Sequence, residues 1–290
     1  MLLLAGGDQD PQILRLMAHA ASHHLAVYSL LTGHTGKPRI HWDIKNNIFM
    51  DGSHILSPRA AFLRQDVFTF LQSGNETDRA IAREWHVTLA GWLLSNPNIK
   101  VFNRKYLAHG PVNKPYILHL AMQLGFSIAD SFVSNDSQQM DALVRHDRWV
   151  KKPVTGGAHC EPLESSTSDK PGSYSYPQII QYRLEQPELR IFRIGKDWFA
   201  FNVISDALDY RSSSATTIRP ADVPAELIPK MTKLTDLLGL DFAAADFKTD
   251  PNTRTLEFLE INTNPMFAGF DQFCDGAICD AILTNLGITS

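Results

Sequence analysis

Two acidic residues near the end of the chain have the spacing of a divalent metal site. Asp246 and Glu260 lie on either side of the turn-forming run 250–253, in a stretch that is predicted to form an antiparallel hairpin. If the hairpin is centred near Thr253, the two carboxylates face one another across the ladder. Strand alternation then places Asn262 on the same face as Glu260. Oxygen ligands in this arrangement suit Mg²⁺ that is completed by phosphates and water.

The alternative is a solvated hairpin whose acidic side chains merely face water. For an isolated Asp/Glu pair this alternative is the more common one. However, two opposed carboxylates repel one another unless a cation lies nearby, and a neutral pair at these positions would avoid that cost. The surrounding sequence therefore has to decide between a metal site and a solvated surface.

The elements that position these residues alternate between strands and helices. Asp10 followed by Pro11 predicts the start of the first helix, after an apolar strand at residues 1–5. Further helices are predicted at 78–94, 113–124, 136–144, 227–238 and 270–286, and further strands at 25–28, 99–102, 126–133, 148–153, 178–184, 189–194 and 198–204. The polar run 103–113 is predicted to end an N-terminal domain, and 165–176 is predicted to be a surface loop. This order predicts an α/β fold.

Composition excludes little but sets the broad class. The 290 residues carry a formal net charge of −4, so no global positive field favours binding to nucleic acid or to an anionic membrane. The three cysteines lack the spacing of a disulfide framework, and we expect a cytoplasmic protein. The apolar start is too short for a membrane segment. We interpret His23 and His24 as exposed residues at a helix end rather than as metal ligands, and assign them no function.

The sequence around the hairpin resembles the C-terminal metal-site signature of ATP-grasp enzymes. The similarity is carried by EINTNP at 260–265, preceded by LGLDF at 238–242 and by Asp246-Phe247. Upstream, residues 113–115, 121–126 and 133–136 resemble the helix and strand that open the ATP-grasp region. Residues 149–157 (WVKKPVTGG) are similar to the second lysine and the phosphate-covering loop. Residues 179–184 occupy the position of the adenine hinge.

Two further segments resemble one branch of this superfamily. Glu188-Leu189-Arg190 and Asp209-Tyr210-Arg211 are similar to motifs of the ribosomal-protein glutamate ligases and of the graspetide ligases, which close ester or amide rings in microviridin-type peptides. The matches run in order from about residue 113 to residue 267. The hinge departs from the pattern, because relatives commonly have Gln-Glu-Tyr or Gln-Glu-Phe where this chain has Ile180-Gln181-Tyr182.

The resemblance implies a role for each candidate residue. The ATP phosphates would be bound by Lys114, Lys152, Gly156 and Gly157, and the adenine hinge would be formed by Gln181, Tyr182 and Arg183. Two Mg²⁺ ions would be held by Asp246, Glu260 and Asn262. The acyl-phosphate, and the state that follows amine attack, would be stabilised by Arg190 and Arg211. Each has a simpler alternative: lysines are usually solvated, arginines form surface salt bridges, and Gln181 would suit an edge strand. Lys151 should point away from Lys152.

The resemblance also implies a fold and an activity. We expect an N-terminal α/β domain (1–110), a central subdomain with the phosphate loop (111–178) and a C-terminal subdomain with the Mg²⁺ site (179–290). The implied activity is ATP-dependent ligation of a carboxylate, expected to be a peptide side chain, to an amine or a hydroxyl through an acyl-phosphate. The alternatives are a small-molecule amino-acid ligase and a non-catalytic ATP-binding protein. A homodimer is the default assembly.

Overall fold

The described part of the chain forms four sheets and the helices that cover them. A computed structural model describes residues 1–33, 38–68, 75–109, 113–144, 148–155, 160–163, 173–205 and 216–288. The helices in these ranges are α1 (Pro11–Ser22), α2 (Glu76–Ser95), α3 (Arg104–His109), α4 (Lys114–Gln123), α5 (Ser137–Val144), α6 (Leu227–Leu237), α7 (Ala268–Asp271) and α8 (Ala277–Asn285). None of them is both long and apolar enough to cross a membrane.

The strands confirm the predicted mixture of helix and sheet. They are β1 (Leu2–Gly7), β2 (Val27–Thr32), β3 (Ile40–Asp43), β4 (Ile48–Asp51), β5 (His54–Ile55), β6 (Ala60–Leu63), β7 (Lys100–Val101), β8 (Ser131–Asp136), β9 (Trp149–Pro153), β10 (Glu161–Pro162), β11 (Ser173–Tyr182), β12 (Glu185–Ile194), β13 (Asp197–Ile204), β14 (Thr217–Ala221), β15 (Phe242–Thr249) and β16 (Leu256–Asn262).

The N-terminal sheet is parallel, with the order β2-β1-β6-β7. Every residue of β1 is buried, because a strand of a parallel sheet that is covered on both faces has no solvent side. Leu2 and Leu4 pack with α1 on one face, and Leu3 packs with α2 on the other. A small antiparallel sheet, β3-β4-β5, adds Phe49 to the core beside α2. The first predicted strand and helix are confirmed.

The C-terminal sheet is antiparallel, with the order β14-β13-β12-β15-β16, and lies between two cores. Odd-numbered side chains such as Ile191 and Ala245 pack against α4 and α6. Even-numbered side chains such as Phe192 and Ala244 pack against α1 and α8. Because side chains alternate between the two faces of each strand, one face of the C-terminal sheet shares a continuous core with the N-terminal sheet and with α8.

The central sheet has the order β10-β9-β11-β8 and a smaller core, to which α5 contributes Met140. We retain the division into 1–110, 111–178 and 179–290 as a proposal. β11 runs across the second of these boundaries, and α4 packs against the C-terminal sheet through Ile117 and Leu118.

Several predicted elements differ in the structure. The helix predicted over 270–286 is divided into α7 and α8, because Gly276 adopts a φ of 86° between them. The boundary segment 103–113 contains α3. The strand predicted over 126–133 begins only at Ser131, since Phe126 packs against aromatic side chains of β15 and β16 instead. β11 begins at residue 173, inside the loop predicted over 165–176, and 165–172 lie outside the described residues.

Asn103, which follows β7 of the N-terminal sheet, is hydrogen-bonded to the C-terminal sheet. Its φ is 56°, in the left-handed region that asparagine tolerates better than most residues. Its side-chain N–H group donates to the backbone oxygens of Phe242 and Thr263, at 2.7 and 2.8 Å. Its side-chain oxygen accepts from the N–H groups of Asp241 and Phe242, both at 2.9 Å. One buried amide thus satisfies four backbone groups at the start and end of the β15–β16 hairpin.

We predict that Asn103→Ala lowers the free energy of unfolding by about 3 kcal/mol, because buried backbone groups lose their partners and alanine is strained at this φ. Urea denaturation followed by circular dichroism measures the change. Asn98→Ala, at an exposed position before β7, is the matched control and should change stability little. Equal stability of the two variants would show that Asn103 does not hold the domains together.

Candidate active site

A cleft separates the central sheet from the C-terminal sheet. It encloses about 1090 Å³, counting the solvent at its open side. All predicted site residues within the described ranges line it, namely Lys114, Lys152, Gln181, Tyr182, Arg183, Arg190, Asp246, Glu260 and Asn262. Gly156, Gly157 and Arg211 lie outside the described residues. Predicted site residues between 114 and 190 thus lie in the same cleft as those between 246 and 262.

The hairpin formed by β15 and β16 has the predicted register. Asp246 is paired with Glu260, and Asn262 is paired with Ala244, one step along the same face. The side-chain N–H group of Asn262 donates to Oδ2 of Asp246 at 3.0 Å. A bulge follows directly after Asp246, so the register shifts only beyond the pair. Two carboxylates and an amide converge on the cleft, and this donor set fits Mg²⁺.

A cation accompanies each of these carboxylates. Nη1 of Arg190 donates to both carboxylate oxygens of Asp246, at 2.8 and 3.1 Å, and the two side chains are only 5% and 8% exposed. Nζ of Lys114 lies 3.1 Å from Oε2 of Glu260. The Arg190–Asp246 pair is therefore buried, unlike the surface salt bridge that was the alternative for Arg190. These cations offset the repulsion between the two carboxylates.

The arginine is held by aromatic rings as well as by the carboxylate. The guanidinium carbon of Arg190 lies 5.3 Å from the ring centre of Phe192 and 5.4 Å from that of Phe270. Both rings belong to the core between the C-terminal sheet and α8. Such contacts stabilise a guanidinium and limit its motion. Arg190 is thus fixed at the edge of the cleft.

One face of the C-terminal sheet is covered by the core at one end of its strands and lines the cleft at the other end. Phe192 and Ala244 point into the core, whereas Arg190, two residues before Phe192 on β12, and Asp246, two residues after Ala244 on the antiparallel β15, line the cleft. Alternation explains why all four side chains share a face. The floor of the cleft is therefore an extension of the buried core, which keeps its charged residues in place.

Glu188 and Lys248 continue this row of charges, and the sequence analysis assigned them no role. They are paired across β12 and β15, and their charged atoms lie 3.2 Å apart. Both line the cleft and are largely buried. The sequence contained one signal for them: residues two apart on a strand share a face, so Glu188 should lie on the face of Arg190, and Lys248 on the face of Asp246. It required knowing that β12 and β15 are neighbours.

Lys152 lies on β9, across the cleft from Asp246 and Glu260. Its Nζ donates to Oε1 of Gln181 at 2.7 Å, and Nε2 of Gln181 donates to Oγ of Ser131 at 2.9 Å. Burial lowers the pKa of the Lys152 ammonium. Gln181 belongs to β11, between β9 and β8, so the alternative of an edge-strand residue is wrong. In this structure Gln181 orients the lysine.

The neighbouring Lys151 behaves as alternation predicts. Its Nζ lies 3.3 Å from Oε2 of Glu161 on β10, and it does not line the cleft. Lys152 is the residue that faces the metal-site hairpin. The two adjacent lysines therefore have different surroundings, and this difference provides a matched pair for mutation.

The hinge between β11 and β12 combines fixed backbone with apolar side chains. The N–H groups of Tyr182 and Arg183 donate to the backbone oxygens of Asp130 and Arg148, at 2.8 and 2.7 Å. These two N–H groups already have acceptors within the protein. The cleft also has an apolar lining, formed by Val150, Leu184, Leu259 and Met266. An apolar slot beside charged groups suits a nucleotide base with its phosphates.

The N-terminal domain holds the segment that follows β16. Nη1 of Arg64 donates to Oδ1 of Asn264 at 2.6 Å and to the backbone oxygen of Pro265 at 3.1 Å. Arg64 is itself paired with Asp10 in a buried ion pair at 2.7 Å. Oε1 of Gln12 accepts from the N–H group of Phe267 at 2.7 Å. One wall of the cleft is thus anchored by residues at the start of the chain.

Comparison with known proteins shows similarity in structure. No protein-family model matches the chain, and no curated protein sequence matches it. The ATP-grasp ligase PsnB, complexed with a minimal precursor, Mg and ADP, is 21% identical, with a TM-score of 0.74 over 98% of this chain and 97% of PsnB. The macrocyclase MdnC from Microcystis aeruginosa MRC, bound to the precursor peptide MdnA, is 18% identical, with a TM-score of 0.72 over 100% of both chains.

A more distant structure shares the fold. The VanG D-Ala:D-Ser ligase from Enterococcus faecalis is 14% identical, with a TM-score of 0.63 over 99% of this chain and 98% of VanG. The chain therefore has the ATP-grasp fold, which confirms the fold that the sequence motifs predicted. The residues before 113, which lie outside the sequence matches at 113–267, are included in these similarities because nearly the whole chain is covered.

We predict that Lys152→Met weakens ATP binding by at least about tenfold, because we expect the ammonium group of Lys152 to contact the ATP phosphates. The same change should raise the melting temperature by about 3 °C. The pKa of Lys152 is lower in the folded chain than in the unfolded one, so the charged form costs stability at neutral pH. The free energy of unfolding therefore rises as the pH increases from the pKa of Lys152 in the folded chain towards its pKa in the unfolded chain. Calorimetric titration and thermal scans measure both effects.

Lys151→Met is the control for this experiment. It removes the same charge from the same strand on the side away from the cleft. ATP affinity should stay within about twofold of the wild-type value, since surface ion pairs contribute little. If the two variants bind ATP equally well, Lys152 does not contact the nucleotide.

Proposed function

We propose that this chain is an ATP-dependent ligase that joins a carboxylate to an amine or a hydroxyl through an acyl-phosphate. The observation that supports it most is the row formed by Arg190, Asp246, Glu260 and Lys114 along one side of the cleft, with Lys152 on the other. A cleft with clustered carboxylates and lysines suits a polyanion that is bound together with a divalent cation.

The residues of the chain have separable roles in this proposal. Lys114 and Lys152 bind phosphate oxygens and bring the two sheets together around the nucleotide. Asp246, Glu260 and Asn262 would hold Mg²⁺, which when bound neutralises phosphate charge. Tyr182 and Arg183 border the base. Catalysis comes chiefly from positioning the carboxylate and the terminal phosphate in a cleft that limits water.

Arg190 faces the place where negative charge develops on the acyl-phosphate. Its link to Asp246 and its contacts with Phe192 and Phe270 fix the guanidinium before any substrate arrives. A preorganised cation stabilises developing charge without reorganisation during the reaction. We propose that Arg211, Gly156 and Gly157 complete the site, on the basis of the sequence resemblance.

We propose a peptide as the carboxylate substrate. PsnB and MdnC are similar to this chain over almost their full lengths and are seen with precursor peptides. Their TM-scores, 0.74 and 0.72, exceed the 0.63 of VanG, a ligase named for two amino acids. A small-molecule amino-acid ligase, favoured by the VanG similarity, is the second candidate.

The experiment combines purified protein with ATP, Mg²⁺ and two sets of substrates. One set contains peptides with acidic side chains together with lysine, serine or threonine, and the other contains free amino acids. Release of ADP together with loss of one water per bond, detected by mass spectrometry, supports a ligase and identifies its substrate class. Release of AMP would contradict the acyl-phosphate mechanism, because that route leaves the two inner phosphates on the nucleotide.

We predict that Glu260→Gln reduces ATP turnover by about two orders of magnitude while the far-ultraviolet circular dichroism stays the same, because one metal-ligand charge is lost. Glu257→Gln, three residues earlier on β16 and outside the cleft lining, is the control and should retain activity. Equal turnover by both variants would rule out a metal role for Glu260. A wild-type chain that binds ATP without turnover would favour the non-catalytic alternative.

A further inference from the structure

A second group of metal-ligand side chains lies away from the cleft, where α1 meets α8. It consists of His19 and His23 on α1 and Asp280 on α8, and one ligand atom of each lies within 4.8 Å of the others. Nε2 of His19 is 2.7 Å from Oδ1 of Asp280, and Nε2 of His23 is 4.0 Å from the same oxygen. None of these residues lines the cleft.

The spacing on α1 explains why both imidazoles point the same way. Residues four apart on a helix lie one turn above one another on the same face. The ring centres of His19 and His23 are 4.8 Å apart. His23 closes α1, so the pair lies on the last turn of the helix. His23 is exposed at the helix end, as its sequence context predicted, but the approach of α8 places a carboxylate beside it, which the sequence did not indicate.

A glycine on the opposite side makes room for His19. Gly276 precedes α8 and has a φ of 86°. A Cβ atom at this position would lie 2.7 Å from Cε1 of the His19 ring, which is too close. Glycine therefore lets the histidine approach the first turn of α8, where Asp280 is located. The geometry of the group depends on the backbone as well as on the side chains.

The distances suit a single small transition-metal ion. Two ligands bound tetrahedrally at the usual Zn–N and Zn–O lengths are about 3.4 Å apart. The two separations from Asp280, 2.7 and 4.0 Å, lie on either side of this value, and no separation in the group exceeds 4.8 Å, so the three atoms reach it by rotation about their side-chain bonds. A direct hydrogen bond accounts for His19 and Asp280 but not for the position of His23, whose nitrogen is beyond hydrogen-bonding distance from Asp280.

We propose that His19, His23 and Asp280 bind one Zn²⁺ ion, with water as the fourth ligand. Two imidazoles and one carboxylate favour Zn²⁺ over Mg²⁺, which prefers oxygen ligands alone. His23 and Asp280 are about half exposed, at 49% and 58%, so the site is open to solvent on one side. The ion links a helix of the N-terminal domain to the last helix of the described chain. Its role is structural, and ATP turnover at the cleft does not depend on it.

The test uses tag-free, full-length protein that has been treated with a chelator and then titrated with Zn²⁺ against a coloured zinc indicator. Wild type should bind one ion tightly. His23→Ala and Asp280→Asn should each weaken that binding by at least about tenfold. His24→Asn is the matched control, because His24 is exposed next to the site and asparagine tolerates its φ of 53°. It should bind zinc as the wild type does.

Zinc bound at the Mg²⁺ site of the cleft is distinguished by Glu260→Gln. If the tight zinc site survives this change and is lost in His23→Ala, the proposal is supported. If zinc binding falls in Glu260→Gln and not in His23→Ala, the ion belongs to the cleft and the proposal is wrong. His23→Ala should keep the Mg²⁺-dependent ATP turnover of the wild type. The zinc titrations do not measure that turnover, so their result stands even if the ligase proposal fails.

Cu²⁺ serves as a spectroscopic probe of the ligands. Electron paramagnetic resonance of one equivalent bound to the wild type should show coupling to two imidazole nitrogens, and to one fewer in His23→Ala. Addition of Zn²⁺ should also raise the melting temperature of the wild type and of His24→Asn, but not of His23→Ala. Coupling to fewer than two nitrogens in the wild type would overturn the proposed site.

Discussion

The arrangement of the cleft depends on a row of four charges that crosses the edge of the C-terminal sheet. Arg190, Asp246 and Glu260 are direct neighbours on β12, β15 and β16, and Lys114 approaches from the start of α4. Positive charges thus flank two negative ones. Two carboxylates placed side by side on a partly buried surface are costly unless cations compensate them. The pairing of β15 with β16 brings the carboxylates together, and the pairing of β12 with β15 places Arg190 where it offsets their repulsion.

The same row ties the site to the core. Arg190 contacts Phe192 and Phe270, and these rings pack where the N-terminal sheet, the C-terminal sheet and α8 come together. A close-packed interior resists displacement. The charged residues at the edge are therefore held by side chains that never reach the cleft. This continuity explains how one sheet can serve both as part of the core and as the floor of the cleft.

Distant parts of the chain complete the walls. Arg64 and Gln12 hold the segment after β16, and Asn103 holds both ends of the β15–β16 hairpin. Apart from the bond between Arg64 and the side chain of Asn264, these contacts are hydrogen bonds to backbone groups, which do not depend on the identity of the side chains that they position. Such contacts are compatible with the low sequence identities, 14% to 21%, at which solved ATP-grasp ligases share this fold.

Local chemistry in the sequence was sufficient to predict the first strand, the helix that starts after Asp10 and the register of Asp246 with Glu260, because a helix start, a turn and strand alternation are properties of adjacent residues. Tertiary structure alone decided what lies beside them. Sheet order placed Gln181 on an inner strand next to Lys152, and paired Glu188 with Lys248. The packing of α8 against α1 brought Asp280 to His19. These contacts join residues far apart in the chain, and their partners are chosen by burial of the whole fold rather than by any local pattern.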